Sequence, residues 1–314
     1  MNKYGIRAGI RRIMAAALGT IMMAGTGVGG EIQALAAQVY PVSRTVSASQ
    51  TVSGPVLTPY YGPSNQVQNN QELQGVWISY LEWEKLPNEE GAFKAAVDKM
   101  LDNCVSWGMN AVFVHAHSHT DAMYPSKILP WSKFVSGTQG KDPGYDPFGY
   151  FVEAAHQRGL SIHAWFNPYR VTGYLMGIED LSDTNPVKQW MTDDNPDNDR
   201  WVLLQNGQYY LNPAVPQVRQ LVADSVREVA ENYPVDGIHF DDYFYPSVND
   251  ADPQAWFDKP EYDASGSSLS IADWRRENVS QLVSQVYSTI KSVRPDLVFG
   301  ISPQGYLPNL RSDT

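Results

Sequence analysis

The chain has 314 residues, of which 34 are acidic and 23 basic, and a formal net charge of -11. This charge argues against nucleic acid and anionic membrane surfaces as partners. The single Cys104 excludes an internal disulfide, and its apolar helical surroundings predict a core position.

The first 36 residues predict a cleaved export signal. Basic residues precede an apolar stretch from Ile13 to Val28, and Ala34-Leu35-Ala36 forms an A-x-A cleavage site. We therefore expect a secreted or cell-envelope protein without stable membrane insertion after cleavage. Residues 37–70 are rich in Ser, Thr, Gln, Asn and Pro and lack a helical period, which predicts a flexible linker before a folded domain at 71–314.

Strand and helix patterns alternate five times within the predicted domain. Apolar runs predict strands at 73–80, 110–117, 160–167, 235–242 and 297–302. Apolar stripes at helical spacing predict helices that end at Gly108 and Gly159, and later helices that begin at Asn212-Pro213 and at Ser270. Helix-to-strand connections are short and strand-to-helix connections are long, which is typical of a (β/α)8 TIM barrel with its function at the carboxyl ends of the strands.

A doubly wound α/β sheet obeys the same local rule, but no glycine-rich phosphate loop follows the first strand here. The chain ends twelve residues after Ser302, and three further βα units are needed to close eight strands. We therefore expect an α/β fold of (β/α)8 TIM-barrel type, C-terminally truncated after about five βα units.

Polar and aromatic residues follow every predicted strand. They are Ser79-Tyr80, His115-Ala-His117, Trp165-Phe-Asn167, Asp241-Asp242 and Ser302-Pro-Gln304. Parallel strands bring such ends to one rim. Aromatic faces beside carboxylates, amides and imidazoles suit a sugar, whose C–H faces stack while its hydroxyls take hydrogen bonds.

Several longer motifs carry a family resemblance. They are Tyr124-Pro-Ser-Lys-Ile, Gly140-Lys-Asp-Pro-Gly-Tyr-Asp-Pro147, Trp165-Phe-Asn-Pro-Tyr-Arg170, Asp236-Gly-Ile-His-Phe-Asp-Asp-Tyr-Phe-Tyr-Pro246 and Asp273-Trp-Arg-Arg-Glu-Asn278. From about Leu73 to the last residue, the chain resembles the glycosyl hydrolase-like 10 family of bacterial exported and envelope proteins. The resemblance implies a TIM-barrel glycoside hydrolase-like domain and a cell-wall polysaccharide, including peptidoglycan glycan strands, as substrate.

Glycoside hydrolysis generally needs two carboxyl groups on either side of the scissile bond. Asp241 is our candidate nucleophile or charge stabiliser, because alternation along a strand places it on the face of His239. Asp242 is the second candidate, as partner acid or as a residue that holds Asp241. Gln304 stands where an amylase-like barrel would place Glu, so Asp121 in the loop after the second strand is a further candidate acid.

A wider set of residues is predicted to bind the substrate. It comprises His115, His117, Trp165, Asn167, Tyr169, Arg170, His239, Tyr243 and Gln304. His239 and Asn167 are expected to hold substrate hydroxyls or to orient Asp241, and Arg170 to lower the pKa of Asp241. No cofactor is expected.

Two other functions remain open from the sequence. His115 and His117 lie two apart on a strand and should face the same way, so with Asp241 or Asp242 they could form the metal site of a metal-dependent hydrolase. A carbohydrate-binding barrel without catalytic activity would keep the same aromatic residues and Asn167.

Overall fold

A computed structural model of the protein describes residues 72–174, 176–246, 252 and 256–303. The predicted export signal and the whole of the predicted linker lie outside these described residues, and so does Gln304. Among the helices of the described ranges, none is long and apolar enough to cross a membrane.

Five parallel strands form the central sheet. They are β1 (Gly75–Ile78), β2 (Ala111–His117), β3 (Ser161–Phe166), β6 (Gly237–Phe240) and β7 (Val298–Ile301). The spatial order is the chain order, β1-β2-β3-β6-β7, and every neighbouring pair is parallel. Because crossovers between parallel strands are right-handed, an order without reversal keeps the connecting helices on one face. A doubly wound sheet reverses its order at a switch point, so this sheet is of barrel type.

Four longer helices connect these strands: α2 (Glu90–Ser106), α4 (Pro147–Gln157), α7 (Pro216–Asn232) and α9 (Ile271–Val293). Two predicted helix starts are confirmed. Asp146 precedes Pro147 and accepts a hydrogen bond from the Gly149 amide, and Ser270 accepts one from the Asp273 amide. These side chains satisfy amides that have no partner within the first helical turn.

The predicted start of α7 at Asn212-Pro213 is wrong. Asn212 uses its side-chain oxygen to accept from the Ala214 amide and its Nδ2 to donate to the carbonyl of Arg200. These two bonds fix a turn at Asn212, and the helix begins only at Pro216.

One face of the sheet forms the hydrophobic core with the helices. Alternate strand residues point to it and are fully buried, namely Val112, Val114, Ile162, Ala164, Phe166, Ile238 and Phe240. They pack with helix residues such as Val97, Leu101 and Phe151. Cys104 of α2 is a free, buried cysteine, which confirms its predicted core position. Each fully buried Leu, Ile or Phe side chain contributes about 1.5–3 kcal/mol through the area it removes from water.

On the opposite face, residues in register across the strands form two rows, and most of them carry aromatic or imidazole rings. The first row is Trp77, Phe113, His163, Gly237 and Val298, and the second is His115, Trp165, His239 and Gly300. A Cβ on Gly237 would lie 2.2 Å from Nδ1 of His163, and one on Gly300 would lie 2.5 Å from Nδ1 of His239. Each histidine ring therefore occupies the space left by a glycine on the next strand.

Shorter elements fill the long strand-to-helix connections. They are α1 (Tyr80–Trp83), α3 (Lys133–Ser136), a 3-10 helix (Ile178–Asp180), α5 (Pro186–Thr192), α6 (Pro196–Asp199), the antiparallel pair β4 (Val202–Gln205) and β5 (Gln208–Leu211), and α8 (Lys259–Ser265). The β4–β5 turn is Asn206-Gly207, with positive φ angles of 52° and 75°. From the sequence, the connection that contains this hairpin is predicted to be a loop.

Candidate active site

Asp241 follows the last residue of β6 and lies at the carboxyl end of the sheet, on the face of the two ring rows. Its Oδ2 accepts hydrogen bonds from Nε1 of Trp165 at 3.0 Å and from Nδ2 of Asn167 at 3.2 Å. Its Oδ1 accepts a bond from the Tyr243 amide at 3.1 Å. Both donor side chains come from β3 or its end, so two neighbouring strands hold this carboxylate in one orientation.

The environment of Asp241 raises the pKa of its carboxyl above the ordinary value of 3.8. Its side chain is 7% exposed, and this burial raises the pKa of Asp241 to about 6. The bonds from Tyr243 and Trp165 and the charge of Arg170 lower that pKa, as the sequence predicted for Arg170. Burial outweighs them, so the carboxyl titrates near neutral pH, which is common for catalytic acids and bases.

Asn167 connects Asp241 to the loop that follows β3. Its Nδ2 donates to Asp241, and its Oδ1 accepts the amide of Arg170 at 3.1 Å. The Asn167 amide in turn donates to the carbonyl of His117. The buried Asn167 side chain therefore uses both its amide nitrogen and its amide oxygen for hydrogen bonds within the protein. This matches its predicted role of orienting Asp241.

His115 and Trp165 stack face to face beneath Asp241. Their ring centroids lie 3.4 Å apart with an interplanar angle of 16°. Nδ1 of His115 accepts the Tyr80 amide at 3.0 Å, so in the neutral ring the proton is on Nε2. Burial, followed by the nearby His119 and Arg170, holds the pKa of His115 well below its usual value. A neutral His115 thus supports the indole that binds Asp241.

His117 does not share the face of His115, and the prediction that the two form a metal-ligand pair is wrong. The strand register shifts between them, so His115 is opposite Trp165 whereas His117 is opposite Phe166, a residue of the core face. Burial lowers the pKa of His117 to about 3, and neither ring nitrogen has a hydrogen-bond partner among the described residues. The described residues contain no group of three or more His, Cys, Asp or Glu that could hold a metal ion.

His239 lies in the second row of rings and does not bond to Asp241. Its Nε2 pairs with the hydroxyl of Ser302 at 2.8 Å, and its ring contacts Trp77 and Phe113 edge to face. Burial, with a smaller effect from His163, lowers its pKa to about 4, so His239 is neutral at pH 7. The expected orienting role toward Asp241 is taken by Trp165 and Asn167 instead.

The exposed rim beside Asp241 is formed by Asp242, Tyr243 and Arg170. Asp242 is exposed, whereas Asp241 is buried, as alternation along the strand predicts. Tyr243 is 53% exposed, and the guanidinium carbon of Arg170 lies 4.3 Å from the centroid of its ring. The same guanidinium lies 5.9 Å from the ring of Tyr80.

Asp121 lines a cavity of about 180 Å³ between the loops that follow β2 and β3. The carboxyl accepts bonds from the His119 amide at 3.3 Å and from Nε2 of Gln139 at 3.4 Å. Burial raises the pKa of Asp121, while those bonds and the charge of Lys133 oppose the shift. The ring of His119 meets that of Tyr80 edge to face at 4.9 Å, and the Tyr80 ring also lies 5.9 Å from the guanidinium carbon of Arg170. Tyr80 therefore connects this cavity to the rim.

Tyr169 is not part of the accessible site. Its side chain is 0% exposed and belongs to the hydrophobic core, where burial raises the pKa of its hydroxyl. A ligand cannot touch it without movement of the surrounding chain, which corrects its expected role in substrate binding. Gln304 lies outside the described residues, so its expected role stays a prediction.

Sequence reasoning missed three residues around the Asp121 cavity, namely His119, Lys133 and Gln139. The run Ser118-His119-Thr120-Asp121 carried a signal, since four polar residues follow a buried strand directly. No sequence signal marks Lys133 or Gln139, because their position depends on how the loop after β2 folds back over itself.

A family model described as "Glycosyl hydrolase-like 10" matches residues 72–314. The chain belongs to this family. It is 39% identical over 255 residues to "Glycosyl hydrolase YngK" of Bacillus subtilis strain 168, covering 78% of this chain and 48% of that protein. It is 34% identical over 292 residues to "Glycosyl hydrolase DigH" of Escherichia coli K12, covering 85% of this chain and 64% of that protein. The chain thus spans about half to two thirds of the length of these relatives.

Solved structures support the barrel-type fold. An alpha-L-fucosidase isoenzyme 2 from Paenibacillus thiaminolyticus matches with a TM-score of 0.50 and 17% identity, over 73% of this chain and 32% of that one. The glycoside hydrolase domain of PgaB (BpsB) from Bordetella bronchiseptica matches with a TM-score of 0.50 and 13% identity, over 74% and 65%. The chain thus shares the fold of these two solved structures, which confirms the predicted fold class.

Proposed function

We propose that this protein is a glycoside hydrolase that cleaves a bacterial wall-type polysaccharide, peptidoglycan glycan strands included, by carboxylate chemistry. The observation that carries the proposal is the environment of the Asp241 carboxyl. Its carboxyl is buried, has a pKa of about 6, and is fixed by three hydrogen bonds at the carboxyl end of a barrel-type sheet. Membership of a family of glycosyl hydrolase-like proteins and a glycosidase-type fold support the same reaction class.

Asp241 acts in this proposal as the ionised nucleophile or charge stabiliser. Three donors point at its two oxygens, an arrangement that suits a carboxylate accepting hydrogen bonds. A carboxylate in this position stabilises the positive charge that develops at the anomeric carbon as the glycosidic bond breaks. Trp165 and Asn167 are positioning residues, because they act on the substrate through Asp241.

Asp121 is the proposed general acid, which donates its proton to the departing glycosidic oxygen. Burial raises its pKa, which is the direction of shift that a general acid needs. Asp242 is the alternative acid, and its side chain is exposed at the rim beside Asp241. Substitution of each by Asn separates the two: loss of turnover with Asp121→Asn alone supports our assignment.

Aromatic side chains around Asp241 are proposed to stack on sugar rings. Trp77 is 39% exposed and Tyr243 is 53% exposed, so part of each ring is open to a ligand, while Phe113 stacks on Trp77 and Arg170 lies over Tyr243. The proposal of a wall polysaccharide in particular rests on the predicted export signal and on the family resemblance. Secretion or cell-envelope location is part of the same proposal.

Product analysis tests the function directly. Full-length protein is incubated with peptide-free peptidoglycan strands and with chitin oligosaccharides, and the products are identified by mass spectrometry with and without EDTA. We expect shorter fragments with new reducing ends and no effect of EDTA. Binding without any cleavage would support the non-catalytic carbohydrate-binding barrel instead, and activity that EDTA abolishes would support the metal-dependent hydrolase.

A further inference from the structure

Arg170 brings a positive charge to the rim of the site that no described residue neutralises. Its guanidinium forms no ion pair within the described ranges, although the chain has a net charge of -11. Its Nε is buried and has no hydrogen-bond partner among those residues. An unpaired buried donor costs about 1–3 kcal/mol. Because this nitrogen is closed off, a ligand reaches the guanidinium through its two terminal nitrogens, which make no hydrogen bond within the described residues.

The rest of Arg170 is held in place before any ligand arrives. Its amide donates to Oδ1 of Asn167, and its carbonyl accepts the hydroxyl of Thr120 at 3.0 Å. The guanidinium lies over the ring of Tyr243 and near that of Tyr80. Cation–π contacts of this kind fix the plane of the guanidinium and leave its edge free for hydrogen bonds.

The position of Arg170 ties it to the reacting centre. Asn167 binds both the backbone amide of Arg170 and the Asp241 carboxylate, so one side chain connects the Arg170 backbone to the reacting carboxylate. The charge of Arg170 lowers the pKa of Asp241, but burial outweighs it, and the two side chains form no ion pair. Stabilising the ionised Asp241 therefore does not use the hydrogen-bonding capacity of this guanidinium.

We propose that Arg170 binds the carboxylate of an acidic sugar residue, so that the preferred substrate is a carboxylate-bearing glycan. The inference rests on the proposed function and adds a substrate class to it. The planar guanidinium matches a carboxylate with two parallel hydrogen bonds, which lysine cannot reproduce. The sugar that carries the carboxylate then lies beside the residue whose bond is broken at Asp241.

Calorimetric titration of the full-length protein tests this inference. The probes are peptide-free peptidoglycan strands with free muramyl carboxylates, the same strands with those carboxylates converted to methylamides, and methylamide strands that carry phosphate groups. We expect the wild-type protein to bind the carboxylate strands about 10- to 100-fold more tightly than the methylamide strands. In Arg170→Met this ratio should fall to about one, and in Arg170→Lys to an intermediate value.

Arg227→Met serves as the matched control, because Arg227 lies on α7 and pairs with Glu231 of the same helix. It should keep the wild-type ratio. A wild-type ratio near one, no binding of either strand, or a ratio that survives Arg170→Met would overturn the inference. Preference for the phosphate strands would overturn it too, and would name phosphate as the anion.

Two outcomes separate this inference from the proposed function. Selective binding of carboxylate strands without cleavage would reject the hydrolase and leave the carboxylate site standing. Cleavage of carboxylate and methylamide strands at equal rates and affinities would reject the carboxylate site and leave the hydrolase standing. If Arg170→Met shifts only the pH profile of cleavage, Arg170 acts on Asp241 and the inference fails.

Discussion

Trp165 donates its indole N–H to Oδ2 of Asp241 over 3.0 Å, although 76 residues separate the two in the sequence. The bond exists because β3 and β6 are neighbours in parallel register, with Trp165 opposite His239. A carboxylate at the end of one strand is thus held by a ring from the next strand. That relationship makes Asp241 the centre of the candidate site and determines how it should respond to pH and to mutation.

The pH dependence of cleavage should follow the ionisation of Asp241. Burial raises its pKa to about 6, and the proposed role requires the ionised form. Activity should therefore rise with pH through about 6 on its acidic limb. Initial rates between pH 4 and 8 measure this limb, and activity that falls as pH rises through 6 would identify Asp241 as the acid instead.

Removal of the Asp241 charge should stabilise the fold at neutral pH. The folded-state pKa of about 6 lies above the ordinary value of 3.8, so ionisation opposes folding once the pH exceeds both. We expect Asp241→Asn to raise the free energy of unfolding by up to about 2–3 kcal/mol at pH 7.5, with little gain at pH 3.5. Urea unfolding at the two pH values measures the effect, and equal changes at both would contradict it.

Replacement of Trp165 by Phe should move the acidic limb of the pH profile to higher pH. The indole bond lowers the pKa of Asp241, so its loss raises that pKa further. Trp190→Phe is the matched control, since Trp190 packs against Trp201 rather than Asp241. A lower rate with an unmoved limb would show that Trp165 only supports the fold or the substrate.

The sequence predicted the five parallel strands of a barrel-type fold and the contact of Asn167 with Asp241, because strand alternation and strand ends are local features. It missed the register shift that separates His115 from His117, because that shift depends on pairing between β2 and β3. The burial of Tyr169 likewise depends on packing beneath a loop.

One element was predictable and was overlooked. Asn206-Gly207 is the usual pair at the tip of a two-residue hairpin, because both residues tolerate positive φ. The flanking segments Val202–Gln205 and Gln208–Leu211 carry the strand-forming residues that such a turn connects. By contrast, the raised pKa of Asp241 arises from burial by segments distant in the sequence. It therefore cannot be predicted from the residues next to Asp241.

Gly237 should be intolerant of a side chain because the ring of His163 fills its space. A Cβ there would lie 2.2 Å from Nδ1 of that ring, so Gly237→Ala should destabilise the fold by about 1–3 kcal/mol. The double variant with His163→Ala should recover part of this loss, because the clashing ring is gone. Thermal unfolding of the two single variants and the double variant gives the coupling, and additive losses would contradict the contact.

The most direct test of the account is the turnover of wall glycan by Asp241→Asn compared with Asp224→Asn, a matched change at a partly exposed position of helix α7. Because Asp241 is proposed to stabilise the transition state directly, its substitution should lower kcat at least about 100-fold while glycan binding persists. Asp224→Asn should retain the wild-type kcat. Cleavage by Asp241→Asn at the wild-type rate would contradict the account.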